Sequence, residues 1–461
     1  MKKFLFRPNL AVTVLALSLS ACAIGPDYHK PAVPLAAAFK EDGRWKSAEP
    51  LDILPRGAWW EVYQDARLNG LMLTQAQASP SIAQAEAQYR QTQQLLAQAE
   101  ASLFPSLTAS AGSSRTVSAA GAPVTRQSNL NLSASWELDM WGSVRRAIEA
   151  GEAKQASSAA QLAAIKLSAQ AQLVSAYLQL VVSDKQLEQL RSSEAALSET
   201  VTLTRNQYRA GTVSEASLNL ADSQYQSARA ATLDKQLQLA QLEHAVAAAI
   251  GVAPADFSLP AAVTVPHLPQ LPALLPSALL ERRPDIAVAE RNMAQANAQI
   301  GLAEAAFFPS LSLTASGGYK GTGLSDLLSA PNRIWAIGPQ LAATVFDAGL
   351  RKAQTAQAVA VYDASVAAYR LAVLAAFQNV EDTLVAQSLL EQQAQRQTLA
   401  LVAAQRAETI TRNQYAAGTV AYLNVLAAQT TRISAEANLW TVLNRQYTNS
   451  VALIAALGGR W

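Results

Sequence analysis

Few side chains in this 461-residue sequence are of types that do chemistry, and their spacing keeps them apart. The three histidines (His29, His244 and His267) and the one cysteine (Cys22) match no CxxC or His/Cys zinc pattern, and a single cysteine excludes an intramolecular disulfide framework. No serine or carboxylate constellation joins His244 or His267 into a nucleophile–base pair. Glu381 and Asp382 are adjacent, so on a helix they splay rather than converge as acid–base carboxylates. Gly318-x-x-Gly321-x-Gly323 has the letters of a phosphate loop, but no strand–loop–helix unit surrounds it. It reads instead as a mobile outer loop between two strands. Lys plus Arg number 36 against 34 Asp plus Glu, which leaves no basic surface for nucleic acid. Composition therefore disfavours an enzyme, and no metal or organic cofactor is expected.

The cysteine has chemistry of another kind. Lys2, Lys3 and Arg7 precede an apolar stretch from Leu10 to Leu19, a secretory signal too short to span a bilayer. Leu19-Ser20-Ala21-Cys22 resembles the lipobox of bacterial lipoproteins, which implies cleavage after residue 21 and a diacylglycerol and acyl lipid on Cys22. Ala23 in place of Asp implies sorting to the outer membrane. Loss of the signal takes the basic count from 36 to 33 against 34 acids, so the mature chain is near neutral. No later stretch offers ~18 uncharged apolar residues for a transmembrane helix.

The elements that must position these residues are written twice. Ser79-Pro80-Ser81-Ile82 returns as Arg283-Pro284-Asp285-Ile286, and Phe104-Pro105-Ser106-Leu107 returns as Phe308-Pro309-Ser310-Leu311, both at an offset of 204. Thr204–Val213 returns as Thr411–Val420 at an offset of 207, with Ala416 in place of Arg209. Between the copies lies a stretch holding Pro254, Pro260, Pro266, Pro269, Pro272 and Pro276, which reads as an extended linker. In each half a helix opens at Pro80 or Pro284, where proline suits the first turn, and ends before Phe-Pro. A β section follows, then a Gly- and Pro-free stretch, 152–210 or 350–417. The second would be about 100 Å long as a helix. Both stretches end at an Ala-Gly-Thr-Val turn, where Gly211 or Gly418 supplies positive φ and a helix returns. Frequent Ala and Gln suit close antiparallel, coiled-coil-like packing.

The β sections alternate. From Asn129 to Met140, Leu130, Leu132, Ala134, Trp136, Leu138 and Met140 interleave with polar Asn129, Asn131, Ser133, Ser135, Glu137 and Asp139. Period two over twelve residues is a strand with one apolar and one polar face, long enough when tilted to cross an outer-membrane band of ~25 Å. Residues 107–116 alternate more weakly. Leu311, Leu313, Ala315, Gly317 and Tyr319 repeat the pattern, and Trp335–Phe346 sets Ile337, Leu341 and Val345 on one face. Trp136, Trp141, Tyr319 and Trp335 suit an interfacial aromatic belt. Four strands cannot close a barrel and an open edge cannot sit in lipid, so several chains must share one; three chains would supply twelve strands.

The mature chain resembles the TolC-like outer-membrane factors, in their lipidated efflux branch. The matching residues are Gly25-Pro26-Asp27-Tyr28, Trp59-Trp60 with Asp65 and Leu68, and Arg282-Arg283-Pro284-Asp285-Ile286. The paired Phe-Pro-Ser-Leu segments and the Tyr-x-x-Gly turns at Tyr208 and Tyr415 complete the set. The resemblance implies an α+β membrane protein, mainly α: a homotrimer whose long α-helical barrel carries a transmembrane β-barrel with four strands per chain. It divides the sequence into a lipoprotein signal (1–21), an N-terminal anchor and equatorial segment (22–78), a first repeat (79–252), a proline-rich linker (253–276), and a second repeat with a C-terminal equatorial segment (277–461). It implies the exit duct of a tripartite efflux pump, partnered by a periplasmic adaptor, an inner-membrane transporter of the RND type and outer-membrane lipid. The helix turns then become the periplasmic tip that docks the adaptor and gates the duct: Arg205, Tyr208, Gly211, Thr212 and Val213, with Arg412, Tyr415, Gly418, Thr419 and Val420. The polar residues 129, 131, 133, 135, 137 and 139 would face the lumen. Where the family usually has an acidic residue six positions after the turn glycine, Ser217 and Asn424 stand here, implying an aperture of weak cation preference. The alternative from another class is a periplasmic coiled-coil lipoprotein without a channel, which leaves the alternating strands unexplained. Cargo stays open among drugs, metals, dyes and siderophores.

Overall fold

The structure is a computed structural model that describes residues 24–31, 57–261, 264–269 and 283–459. The signal, Cys22 and the linker prolines Pro272 and Pro276 lie outside the described residues. In chain order, α1 (Ala66–Ala78) and α2 (Pro80–Ala101) precede strands β1 (Ser106–Thr116) and β2 (Thr125–Leu138). Then come α3 (Ser143–Arg209) and α4 (Glu215–Ala249), α5 (Pro284–Ala305), β3 (Ser310–Gly321) and β4 (Arg333–Ala342), and finally α6 (Leu350–Ala416) and α7 (Tyr422–Ala456). The duplication survives in element length: 22 residues for α2 and α5, 67 for α3 and α6, 35 for α4 and α7.

One helix starts earlier than its glycine-free stretch. Gly151 lies inside α3, where a Cβ would come 3.2 Å from Leu96 Cδ1 of α2. The glycine is therefore a close-approach residue and not a helix boundary, because packing against α2 outweighs its poor propensity.

Contacts divide the chain into two compact units, each assembled from both repeats. One joins residues 24–31 to Ala87–Ala159 and Ala287–Ala372; the other holds residues 57–86 with the described parts of Ala160–Ile286 and of 373–461. The core of the second unit packs Tyr63, Leu68 and Met72 against Leu173, Val174, Tyr177 and Leu178, with Val246, Tyr447, Val451 and Ile454. Polar tips inside it are satisfied. The Tyr177 hydroxyl donates to Asp65 Oδ2 at 2.7 Å, while Asp65 Oδ1 caps α1 by accepting from Arg67 N and Leu68 N. Tyr63 and Ser450 hydroxyls lie 2.8 Å apart, and Tyr447 donates to Pro266 O. Arg283 is buried, ion-paired with Asp285 and donating to Ala456 O, so the Arg-Pro-Asp motif closes the C-terminal end of α7 as well as opening α5.

The first unit holds one antiparallel sheet in the order β1-β2-β3-β4, so β1 and β4 are its edges. Three sequence expectations are corrected here. β2 covers 125–138 rather than 129–140, because its ladder with β1 runs out to Thr116↔Thr125 and ends before Asp139. β4 covers 333–342 rather than 335–346, leaving Val345 and Phe346 beyond the ladder and exposed. The glycine cluster is not a loop at its start: Gly317, Gly318 and Gly321 belong to β3, and a Cβ on Gly318 would lie 2.1 Å from the Leu130 carbonyl of β2. The true β3–β4 connection begins at 322.

Helix α6 contains an 18-residue window with mean hydropathy 1.4 and at most two charges, which meets a length-and-composition criterion for a membrane span. The alanine-rich sequence reaches that mean without a continuous apolar run. Only 11% of the window is buried within the chain.

Candidate functional site

Register decides what the sheet can do. Across the strands, Ala109, Leu132, Gly317 and Trp335 form one row, Leu107, Ala134, Ala315 and Ile337 the next, and Trp136, Leu313 and Pro339 the one below. These three rows are apolar or small, and they are open: Leu132 is 48% exposed, Ile337 66% and Trp335 74%. The opposite face carries Ser106, Ser135 and Thr314, then Thr108, Ser133 and Ser316, then Ser110 and Asn131. Asn129 and Glu137 lie on this polar face too. Because the side-chain period is two, a one-residue slip at any ladder would mix the faces; within these rows the one large apolar side chain on the polar face is Ile334, on edge strand β4. A sheet that is polar on one side and exposes an apolar band on the other fits a wall between water and lipid.

Asp139 departs from its expected place. It lies past the end of β2, where Oδ1 accepts from Val144 N at 2.9 Å and Oδ2 from Arg145 N and Nε, each at 3.0 Å. Burial raises its pKa, but the two amides and the Arg145 guanidinium outweigh that and hold it below the usual carboxylate range. It caps α3 instead of lining the strand, since the free amides of a helix N-terminus bind a carboxylate better than water does. The second repeat uses the same device. Asp347 accepts from Gly349 N, Arg351 N and Arg351 Nε, and the Arg351 hydrogen bond is the chief cause of its depressed pKa. Arg351 also donates to Thr344 O and Ala306 O and lies over the Phe307 ring, bracing the strand–helix junction.

At the far ends of the long helices the two turns repeat atom for atom. Gly211 N donates to Tyr208 O and Gly418 N to Tyr415 O, both at 2.9 Å. Thr212 donates through both N and Oγ1 to Gln207 O, as Thr419 does to Gln414 O. With Gly211 at φ 73° and Gly418 at φ 76°, each is a Schellman turn whose threonine hydroxyl adds a bond to the same carbonyl. Val213 and Val420 follow, half-buried. The turns are adjacent: Tyr415 hydroxyl donates to Gln207 Oε1 at 3.0 Å, and its ring lies 5.1 Å from Tyr422 over a small core of Val201, Ala221, Val425 and Leu426. Ser217 is engaged by Ser214 at both N and Oγ as part of the α4 N-cap, whereas the Asn424 side chain is exposed.

Above the turns the repeats differ. Arg412 pairs with Glu408 at 2.7 Å, Glu408 with Arg432 at 2.6 Å, and Arg432 with Glu436 at 2.8 Å, while Gln189 donates to Glu436. The corresponding first-repeat positions are Val201, Arg205, Tyr225 and Arg229, and no such network forms there. Arg205, on an exposed turn of α3, makes no ion pair among the described residues.

Residues 73–252 and 275–459 match the family described as outer membrane efflux protein. The chain belongs to that family. It is 30% identical to the probable efflux pump outer membrane protein TtgC of Pseudomonas putida, over 98% of this chain and 95% of that one. The cation efflux system protein CusC of Escherichia coli is 29% identical over 97% of each. Among solved structures, the outer-membrane channel OprN aligns with a TM-score of 0.86 and 27% identity over 95% of this chain and all of that one. The protein is therefore a channel of the outer membrane, with its helices on the periplasmic side, and not an enzyme.

Within this efflux protein the sequence motifs gain contacts that sequence reasoning missed. The Gly25-Pro26-Asp27-Tyr28 segment is a strap clamped by the buried Arg146, whose Nε donates to Ile24 O and whose Nη2 reaches Gly25 O and Asp27. Asn297 donates to Pro26 O, and Tyr28 donates to Glu290 at 2.8 Å. Gly25 (φ 99°) fits there because a Cβ would lie 2.3 Å from Gly301 Cα. The tandem Arg145-Arg146 was the available signal: one arginine serves the junction and the other the strap. A cleft of about 530 Å³ beside Arg283 is lined mostly by Ala, Leu, Ser and Gln, and its only charges, Arg283 and Asp285, bind each other. Among the described residues no group of three His, Cys, Asp or Glu side chains could hold a metal.

Proposed function

We propose that three copies of this outer-membrane efflux channel close one twelve-stranded barrel and one helical duct, forming the exit path of a tripartite pump. The observation that carries this reading is the open sheet: β1 and β4 present unpaired edges on either side of a continuous apolar face. Unsatisfied backbone groups are not tolerated in hydrocarbon, so β4 of one copy pairs with β1 of the next. The exposed apolar window of α6 supports the same assembly, since neighbouring helices would cover it. Asn129, Asn131, Ser133, Ser135 and Glu137 then line a water-filled lumen. A lipid on Cys22 tethers each copy, and the described strap starts two residues later at Ile24, whose N–H donates to the Trp141 carbonyl at 3.2 Å.

The duct carries no energy source. An inner-membrane transporter, of the RND type by resemblance, drives cargo through, and a periplasmic adaptor docks at the paired turns around Gly211 and Gly418. Exposed Arg205 and Tyr208 offer unpaired contacts for it, while Arg412 and Tyr415 are held by Glu408 and Gln207. Asn424 narrows the tip without fixed charge. The test is native mass spectrometry of the mature protein in detergent. A trimer carrying three acyl adducts is the expected result; a stable lipidated monomer would overturn the shared barrel, and an unmodified trimer would remove the lipid alone.

A further inference from the structure

The outer end of the sheet carries a charge pattern that duct function does not require. The helices attach at residues 101–106, 138–143, 305–310 and 342–350, so the β1–β2 hairpin and the β3–β4 loop form the end of the sheet farthest from them, which in the proposed barrel faces outside the cell. From 106 to 138 and from 310 to 342 the sequence has four cations, Arg115, Arg126, Lys320 and Arg333, against two acids, Glu137 and Asp326. Glu137 belongs to the helix end of β2. All four cations are exposed, and none forms an ion pair among the described residues.

Their faces follow from the register. Arg115 pairs directly with Arg126, and Arg333 with Tyr319. Arg115, Arg126 and Arg333 share parity with Leu107, Leu130 and Trp335, which sets them on the apolar, lipid-facing side; Lys320 lies on the polar side. Along β2 the apolar rows run from Leu138 to Leu130, about 26 Å of strand, and Arg126 lies about 13 Å farther out. With barrel tilt, that carries the arginine pair out of the hydrocarbon and into the headgroup layer. Tyr319 and Arg333 mark the boundary between the two. Two guanidinium groups directly opposed across a ladder repel each other unless an anion lies between them. With few carboxylates nearby to pair with, the two arginines suit a phosphate, because each planar fork can donate two parallel hydrogen bonds to phosphate oxygens.

We propose that Arg115 and Arg126 form a binding site on the barrel exterior for the phosphate of an anionic outer-leaflet glycolipid. The site rests on the shared-barrel reading for its access to lipid. It would hold phosphorylated lipid around the channel mouth, offsetting the cross-strand repulsion and fixing the depth of the barrel in the leaflet.

The test is native mass spectrometry of the detergent-solubilised protein titrated with bis-phosphorylated lipid A, its dephosphorylated counterpart, or inorganic phosphate. Bis-phosphorylated lipid A should remain bound, and the dephosphorylated form should bind about ten-fold more weakly. Arg115→Gln/Arg126→Gln should weaken the phosphorylated lipid by about ten-fold and leave the dephosphorylated lipid unchanged. Because that variant changes one hairpin, circular dichroism and heat-modifiable migration report its fold, and Arg115→Lys/Arg126→Lys, which keeps the charge, should retain most of the binding. Equal retention of phosphorylated lipid A by the wild type and a folded Gln variant would overturn the site. Displacement of the lipid by an equal concentration of inorganic phosphate would reassign it to free anions and overturn the lipid assignment. A protein that fails to insert into zwitterionic vesicles would overturn the membrane placement itself, a result distinct from insertion without lipid A binding.

Discussion

The ion network above the second turn is the feature whose removal should discriminate most sharply between the two hairpins. Glu408 is 11% exposed at its side chain and receives Arg412 at 2.7 Å and Arg432 at 2.6 Å. Removing one partner of a buried pair costs about 3–5 kcal/mol when the remaining charge is stranded. Here the stranding is incomplete. Arg432 keeps Glu436 at 2.8 Å, and Arg412, 59% exposed, regains water. Glu408→Gln should therefore cost about 2 kcal/mol, below that range. That is about a 30-fold rise in local opening of the α6–α7 hairpin.

Amide hydrogen exchange on the intact protein reads this directly. Protection should fall in 405–412 and 428–436, and stay unchanged in 198–205 and 221–229, where Val201 and Tyr225 pack in an apolar cluster and, among the described residues, no ion pair stands in for Glu408. A Glu408→Gln/Arg432→Gln cycle should show a coupling of about 1–3 kcal/mol. Equal loss of protection in both hairpins would refute the argument, because the effect would then be global destabilisation. No loss in either would mean that the network is solvated and contributes nothing local.

Four further outcomes follow from the same structure. Gly318→Ala should weaken the β2–β3 ladder by about 1–3 kcal/mol, visible as lost heat-modifiable migration, since its Cβ would meet the Leu130 carbonyl at 2.1 Å. Asp139 and Asp347 have depressed folded pKa values, so their contribution is present above the ordinary carboxylate value and lost as pH falls through the folded one. Strand–helix junctions should therefore loosen in acid below about pH 4, and Asp139→Asn should remove much of that acid step in a circular dichroism titration. Burial pushes Tyr447 up to about 12 and raises Tyr63 and Tyr177 as well. A raised folded pKa stabilises below the ordinary tyrosine value and is lost as pH rises through the folded one, so the second unit should unfold with tyrosinate absorbance at about pH 10–12. Finally, Asn424→Asp should increase cation selectivity in planar-bilayer recordings several-fold, and Ser217→Asp much less, because Ser217 is tied into the α4 cap.

Most of the architecture was legible because it is encoded in features that need no tertiary context. The repeated Gly-Thr-Val turns fix the C-terminal ends of α3 and α6 to within a residue, since glycine at positive φ closes each Schellman turn. The alternation in 129–138 identifies the faces of β2 without its partners. What escaped depends on partners. Residues 125–128 have no apolar alternation and become strand only because β1 pairs out to Thr116. Asp139 continues the alternation in sequence, yet helix amides capture it once the ladder has stopped. Arg146 means nothing until the strap lies across it, and Gly151 reads as a breaker until Leu96 is opposite. Glu408 was invisible because its partner, Arg432, lies 24 residues away on the returning helix.

The duplication itself explains why the tip is both regular and asymmetric. Helix lengths of 67 and 35 residues are held in both repeats because the turns must arrive together: Tyr415 can reach Gln207 only if α3 and α6 end at the same level. A one-residue change in either helix would shift its turn by about 1.5 Å and rotate it by about 100°, breaking that bond. The helix faces above the turns carry no such constraint, and there the sequences part: the α6–α7 hairpin is cross-linked by ions, while the α3–α4 hairpin has no such links among the described residues and gives Val201, Ala221 and Tyr225 to an apolar cluster shared with α7. A ring built from three such chains would alternate stiff and compliant hairpins. A partner that docks on the common turns would move the compliant hairpin first, because displacing the other must also break the Glu408 network.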